Sequence, residues 1–257
     1  MSAALGVVAD RLRDLAIGVV RTWCRQSVTI DAPLPDEPCL LVGNHGFGGI
    51  VDLNVFALAA AMETASPDRG YISLTHQLAW TLGIGAAIEH VGARPASHEA
   101  AHDAFADGLH VSVFPGGDLD AAKSFRDRNT IGFHGSTGFA ALAIKADVPI
   151  VPVVTAGAGE SLFVLSDGQR LAAALRLKQL LRYRALPISL SIPWGLSVGA
   201  VGLVPYAPLP TKLDTAVMAK KLSGQLRGVA DEFLLKVNRD RPEHLEAILA
   251  PSIIPTE

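Results

Sequence analysis

Apolar positions along this chain fall into two patterns, and the switches between them mark out its elements. Over residues 3–26, Leu5, Val8, Leu12, Leu15, Val19 and Trp23 recur every three or four positions, the spacing of an amphipathic helix. Short segments rich in apolar residues then predict strands at 39–43, 71–74, 88–91, 109–114 and 148–154. Helical segments separate them at 53–64, 76–87, 97–107 and 136–146. Ser97 is placed to cap the third of these and Gly108 to end it. Residues 118–134 read as a long polar loop and 167–183 as a basic helix. The proline-punctuated stretch that follows reads as two core strands, and Asp214 to Val237 as a closing amphipathic helix. This alternation predicts an α/β fold: an N-terminal amphipathic helix in residues 1–30, then a single domain over 31–257 with a largely parallel mixed sheet covered by helices.

Composition adds a surface to this picture. The chain is 49% hydrophobic and only 18% charged, which leaves few charges for a water-facing exterior and points to contact with lipid or a large partner. A net charge of −3 lacks the basic field of a nucleic-acid binder. Arg11, Arg13, Arg21 and Arg25 outnumber Asp10 and Asp14 on the first helix. That composition suits either a membrane interface or packing on the chain's own domain. Arg170, Arg176, Lys178, Arg182 and Arg184 stand against Asp167 alone, so the basic face is expected to meet an anionic membrane surface. The uncharged run from Ala185 to Thr211 is long enough to span a bilayer. It carries Pro187, Pro193, Pro205, Pro208 and Pro210, so no transmembrane helix is expected there. No cleavable signal is expected either, because Asp10, Arg11, Arg13 and Asp14 interrupt the first apolar stretch. Cys24 and Cys39 have no metal or redox spacing and fit packing in a reducing compartment. The location expected is cytoplasmic, peripheral to the inner face of the cell membrane.

Two strand ends carry candidate chemistry. The first apolar run, Leu40 to Gly43, opens into Asn44-His45 and a glycine-rich turn, with Asp52 seven positions after the histidine. A neutral imidazole can take a proton from a hydroxyl as that oxygen attacks a carbonyl, and a carboxylate behind the ring orients and stabilises it. The second run ends in Phe114-Pro115-Gly116-Gly117, where backbone N–H groups can meet a developing oxyanion. These two loops are expected to face each other across one site. His98-Glu99-Ala100-Ala101-His102 also matches the short zinc-peptidase pattern. Its extended form wants glycine at 105 and histidine at 108, where this chain has Phe105 and Gly108, so no metal site is assigned.

These residues resemble a known family. Asn44-His45 in a glycine-rich loop with a following aspartate is similar to the first block of the glycerolipid acyltransferase superfamily, the PlsC-like lysophospholipid acyltransferases. The longer gap and the glycine pair resemble the branch of monoacylglycerol and diacylglycerol acyltransferases. Phe114-Pro115-Gly116-Gly117 matches that branch, where better-known members carry a glutamate in place of the first glycine. Gly138 to Ala143 with Val148 to Val153 resembles the fourth block, and Leu209 to Lys212 has a counterpart.

The resemblance implies a membrane-associated O-acyltransferase. It would move a fatty acyl group from acyl-CoA, a co-substrate with no further cofactor, to a hydroxyl of a lipid acceptor: a lysophospholipid, glycerolipid or glycolipid. His45 would be the base and Asp52 its partner, with Gly116, Gly117 and Asn44 at the oxyanion or acceptor. Arg94, displaced from the family's second-block arginine, is a candidate for phosphate or CoA, as are Arg126 and Arg128 on the polar loop. The helix after Asp52 and the 148–154 strand would wall the acyl chain. The rival readings are a lipid- or acyl-CoA-binding protein without turnover and a zinc hydrolase using His98, Glu99 and His102.

Overall fold

The computed structural model describes residues 2–30, 33–46, 52–81, 83, 85–128, 130–134, 136, 138–191, 195–199 and 211–217. Its strands are β1 (Ser27–Ile30), β2 (Leu40–Gly43), β3 (Tyr71–Thr75), β4 (Ala93–Pro95), β5 (His110–Val113), β6 (Ile150–Ala156), β7 (Phe163–Ser166), β8 (Ile188–Ser191), β9 (Gly195–Val198) and β10 (Asp214–Val217). Its α-helices are α1 (Ser2–Gly18), α2 (Leu53–Ala65), α3 (Leu78–Thr81), α4 (Gly85–Glu89), α5 (His98–Ala106), α6 (Gly117–Ala121), α7 (Gly138–Ala146), α8 (Gln169–Ala174) and α9 (Leu177–Leu181). The main sheet runs in the order β1-β10-β6-β2-β5-β3-β4. β10 is antiparallel to β6, and all other neighbours are parallel. The expected mixed, largely parallel α/β sheet is the one observed.

Every residue of β2 and β5 is buried: β2 reads as an unbroken apolar run, whereas β5, His110-Val111-Ser112-Val113, buries two polar side chains among its valines. Successive side chains still point to opposite faces. Leu40 and Val42 join Phe139 and Leu142 of α7 on one side. Cys39 and Leu41 join Leu58 and Met62 of α2 on the other. Burial pushes the Cys39 thiol up to about 12, so it serves as a packing group. α1 continues through a π-helical turn, Val19–Trp23, and packs Ile17 and Val20 against Leu53 and Ala57 of α2. Its other side leaves Val7, Val8, Leu12 and Leu15 exposed. Among the described residues, no helix is long and apolar enough to cross a membrane.

Several expectations are corrected. The helix expected over 76–87 is two short ones, α3 and α4, with Gly83 between them in a left-handed conformation at φ 78°. Ile88 belongs to α4, and Val91 and Gly92 donate to the carbonyls of Ile88 and Glu89. Those turns delay the strand to Ala93. The polar loop 118–134 contains α6 and a 3₁₀ turn, Phe125–Asp127. The basic helix breaks into α8 and α9 at Arg176, which sits at φ 54°. β8 and β9 are not core strands: with β7 they form a separate antiparallel sheet. Asp214–Val217 is strand β10, not the start of a helix, because β1 and β6 pair with both its edges. The rest of the expected closing helix, and Trp194, Tyr206, Leu209 and Pro210, lie outside the described residues.

His110 on β5 gives the core a pH dependence. It is 1% exposed. Its Nδ1 accepts the Cys39 N–H at 3.1 Å, and its Nε2 lies 3.2 Å from Ser66 Oγ. Burial, then the Arg69 cation, hold its pKa down at about 4. The folded state therefore binds fewer protons than the unfolded state between the two pKa values. Stability is expected to be fully present above about pH 6.5 and to fall by about 3 kcal/mol as pH drops toward 4. Urea unfolding across that window should show the slope, and His110→Gln should flatten it.

Candidate active site

β2 delivers its last residues to the carboxyl edge of the sheet, where open α/β sheets place ligands. It ends on Gly43 for a packing reason: a Cβ there would lie 2.6 Å from the Phe114 ring. Asn44 is buried and locks onto the end of β6. Its Nδ2 donates to the Thr155 carbonyl at 3.0 Å, and its Oδ1 accepts the Thr155 N–H at 2.9 Å. The Asn44 carbonyl accepts from Asn54 Nδ2 at 2.5 Å. Asn44 was expected at the oxyanion or acceptor. It is instead committed to holding the loop in place.

His45 follows, with its ring against Phe114 at 4.8 Å between centroids. Its Nδ1 lies 2.6 Å from Asp52 Oδ2, and both side chains are less than a fifth exposed. Asp52 is also the N-cap of α2: its Oδ1 accepts the Asn54 N–H at 2.9 Å. The capping geometry thus aims the second carboxylate oxygen at the imidazole across the seven-residue separation. With the Nδ1 proton donated to Asp52, Nε2 carries the free lone pair. Gly48 and Gly49 of the expected turn lie outside the described residues.

The loop has a further anchor, in a segment read from sequence as solvated. Asp120 on α6 is 1% exposed. Its Oδ2 accepts the His45 N–H at 2.8 Å. Its Oδ1 accepts from Lys123 Nζ at 2.7 Å and from the Gly132 N–H at 3.1 Å. Lys123 completes its shell on the Thr130 carbonyl at 2.8 Å. Gly116 makes room for this carboxylate, since a Cβ there would lie 2.2 Å from Asp120 Cβ and 2.6 Å from the Gly132 carbonyl oxygen. Gly117 closes the turn by donating its N–H to the Phe114 carbonyl at 3.1 Å. Both glycines shape the loop, and the Gly117 N–H is engaged there rather than offered to an oxyanion. The signal in the sequence was an Asp and a Lys three residues apart. Such spacing is equally common on exposed helices, and nothing in it reports burial.

A cavity of about 620 Å³ opens beside these groups. His45, Asp52, Gly117 and Asp118 line it, as do Ser73, Thr75, Ser97, Ser136 and Tyr183. Val55 of α2 contributes an apolar wall, as expected. The other apolar wall comes from Val113, Phe139 and Leu142, not from β6, which is buried behind them. None of Arg94, Arg126 and Arg128 lines the cavity. Arg94 Nη1 donates to the carbonyls of Glu89 and Ala93 at 2.9 and 2.8 Å. Arg128 lies over the Phe125 ring at 4.2 Å, and Arg126 is exposed on the same turn. His98 lines the cavity, while His102 is exposed beside Asp103. Among the described residues no three His, Cys, Asp or Glu side chains come together as metal ligands.

A family model described as Acyltransferase matches residues 25–156, the span that holds His45, Asp52, the Phe114–Gly117 turn and Asp120. The chain belongs to the acyltransferase family. Uncharacterized proteins of Mycobacterium bovis and Mycobacterium tuberculosis are 31% identical to it over 195 residues, covering 75% of this chain and 51% of theirs. One of Mycobacterium leprae is 29% identical over 195 residues, covering 75% and 49%. The chain thus spans about half the length of the curated relatives it matches. Among solved structures, the 1-acyl-sn-glycerophosphate acyltransferase PlsC of Thermotoga maritima is similar at a TM-score of 0.48 and 15% identity, over 94% of this chain and 83% of that one.

In this acyltransferase-family site the Asp120–Lys123 pair is expected to behave as a buried ion pair. Removing one partner strands the other charge. Asp120→Asn should cost about 3 kcal/mol of stability, and adding Lys123→Met should recover a large part of it. Chemical denaturation of the two single variants and the double variant completes the cycle.

Proposed function

We propose that this chain transfers a fatty acyl group from acyl-CoA to a hydroxyl of a lipid acceptor at a membrane surface, with His45 as general base. The observation that carries this reading is the 2.6 Å contact between His45 Nδ1 and Asp52 Oδ2. It orients an imidazole in the lining of a largely apolar cavity in a chain of the acyltransferase family. His45 Nε2 takes the proton of the acceptor hydroxyl as its oxygen forms a bond to the thioester carbonyl carbon. Asp52 stabilises the imidazolium. Collapse of the tetrahedral intermediate breaks the carbon–sulfur bond, and the departing CoA thiolate takes the proton from Nε2. The wall of Val55, Val113, Phe139 and Leu142 receives the acyl chain.

The cations around the cavity bear on the acceptor. Arg94 is bonded to carbonyls, Lys123 to Asp120, and Arg184 to Asp118 through Nε and Nη2 at 3.3 and 3.2 Å. Two carboxylates, Asp52 and Asp118, belong to the lining. A phosphate monoester would meet those carboxylates in a lining that, among the described residues, holds no Lys or Arg. A lining that holds two carboxylates and no Lys or Arg suits an uncharged glycerolipid or glycolipid acceptor better than lysophosphatidate.

Thiol release from palmitoyl-CoA with a mixed lipid extract tests this reading. His45→Ala is expected to lower lipid-stimulated release by about a thousandfold. Asp52→Asn should lower it by about a hundredfold or more while α2 stays folded, because asparagine caps a helix as well as aspartate does. Release unchanged in His45→Ala would reject His45 as the base. Binding of acyl-CoA without release, whatever lipid is offered, would favour a binding protein. Monoacylglycerol is expected to support faster release than lysophosphatidate at equal concentration.

A further inference from the structure

The sheet of β7, β8 and β9 is inside out. Its register sets Phe163 beside Leu190 and Leu190 beside Leu196. That row is 40%, 53% and 65% exposed, and Leu165 and Val198 add two more exposed side chains. The residues between them face inward. Val164 and Ser189 are buried, and Ser189 Oγ lies 3.0 Å from Ser197 Oγ. A sheet with one face in water places its serines outside and its leucines inside. These strands do the reverse.

The surface continues into charge of one sign. Between β7 and β8, α8 and α9 expose Leu175 and Leu180 at 51% and 73%. From 168 to 191 the chain carries Arg170, Arg176, Lys178, Arg182 and Arg184 and no acidic residue. The same segment reaches the catalytic cavity: Tyr183 lines it, and Arg184 binds Asp118 of the lining.

We propose that the outer face of β7–β9, together with α8 and α9, docks the protein on an anionic lipid bilayer beside the mouth of the cavity. The proposal rests on the acyl-transfer reading only in that the acceptor would enter from that bilayer. Charge decides the occupant. A second copy meeting this face through two-fold symmetry would oppose basic residues to basic residues. Anionic headgroups neutralise them, and the acyl boundary accepts the exposed leucines and Val198, while Phe163 packs its ring on Phe125 at 4.5 Å.

Co-sedimentation with phosphatidylcholine vesicles, with and without phosphatidylglycerol, tests it. The native chain is expected to pellet with the phosphatidylglycerol vesicles and to be released as salt rises. Leu190→Thr with Leu196→Thr should weaken binding about tenfold, since threonine keeps the strands but removes the apolar face. Arg176→Asn with Lys178→Gln and Arg182→Asn should weaken it by a similar factor. Both sets should leave turnover on a detergent-dispersed acceptor unchanged, while His45→Ala should bind vesicles as the native chain does. Vesicle binding unchanged in both surface variants overturns the proposal. So does a native dimer that the leucine variant dissociates, which would make the face a contact between copies. A fall in Tm with binding intact would show the face covered by the chain itself, and overturns it too. Surface-dependent binding with no thiol release under any condition would reject the acyl-transfer reading and leave the docking surface standing.

Discussion

The site depends on one carboxylate acting in two structures at once. Asp52 begins α2 with one oxygen and holds His45 with the other. A helix N-terminus is among the better defined positions in a fold, because its free N–H groups demand an acceptor in a narrow geometry. Using that acceptor as the imidazole's partner makes the ring's orientation a consequence of where α2 starts. α2 is in turn fixed by its burial, with Leu53, Ala57 and Leu58 almost wholly inside. The packing of the domain is thereby carried to a single nitrogen atom.

The other end of the histidine is fixed by crowding. Gly43 and Gly116 are small because Phe114 and Asp120 occupy the space a Cβ would need. Phe114 then lies against the imidazole ring, and Asp120 takes the backbone N–H of the same residue. A carboxylate buried this deeply is tolerated because Lys123 and two N–H groups saturate it. Such a network leaves few alternative arrangements, so both the ring and the backbone of His45 are held in one place.

Much of this was legible in the sequence, and the failures share a cause. The strands at 40–43, 110–113 and 150–156 and the helices at 53–65, 98–106 and 138–146 follow from apolar spacing and from the Ser97 cap, whose Oγ accepts the Ala100 N–H at 3.0 Å. His45 and Asp52 were visible as a pair, although only the cap explains how they meet. The breaks at Gly83 and Arg176 were missed because periodicity carries across a single residue that adopts a left-handed conformation. Asp120 and Lys123 were missed because charge in a loop reads as solvent contact, and burial is decided by segments distant in sequence. Asn44 was given a chemical role for its neighbour's sake, when its amide is needed by Thr155.

β8 and β9 show the limit of pattern most directly. Alternation in a strand separates its residues into two sets but does not say which set meets water. Burial of the apolar set is the usual answer and was the expectation here. The structure buries Ser189, with Ser197 against it, and exposes Leu190 and Leu196. The composition already held the clue, since a chain with so few charges lacks the polar groups to clothe its whole exterior. Among the described residues the excess gathers on one side of α1, on α8 and α9 and on the β7–β9 face, and the last adjoins the basic segment that reaches the cavity through Tyr183. Under the acyl-transfer reading proposed above, amphiphilic substrates would need their apolar part held while the reacting group stays with His45. An exposed apolar face joined through Tyr183 to a largely apolar cavity would meet that need without moving the substrate through water.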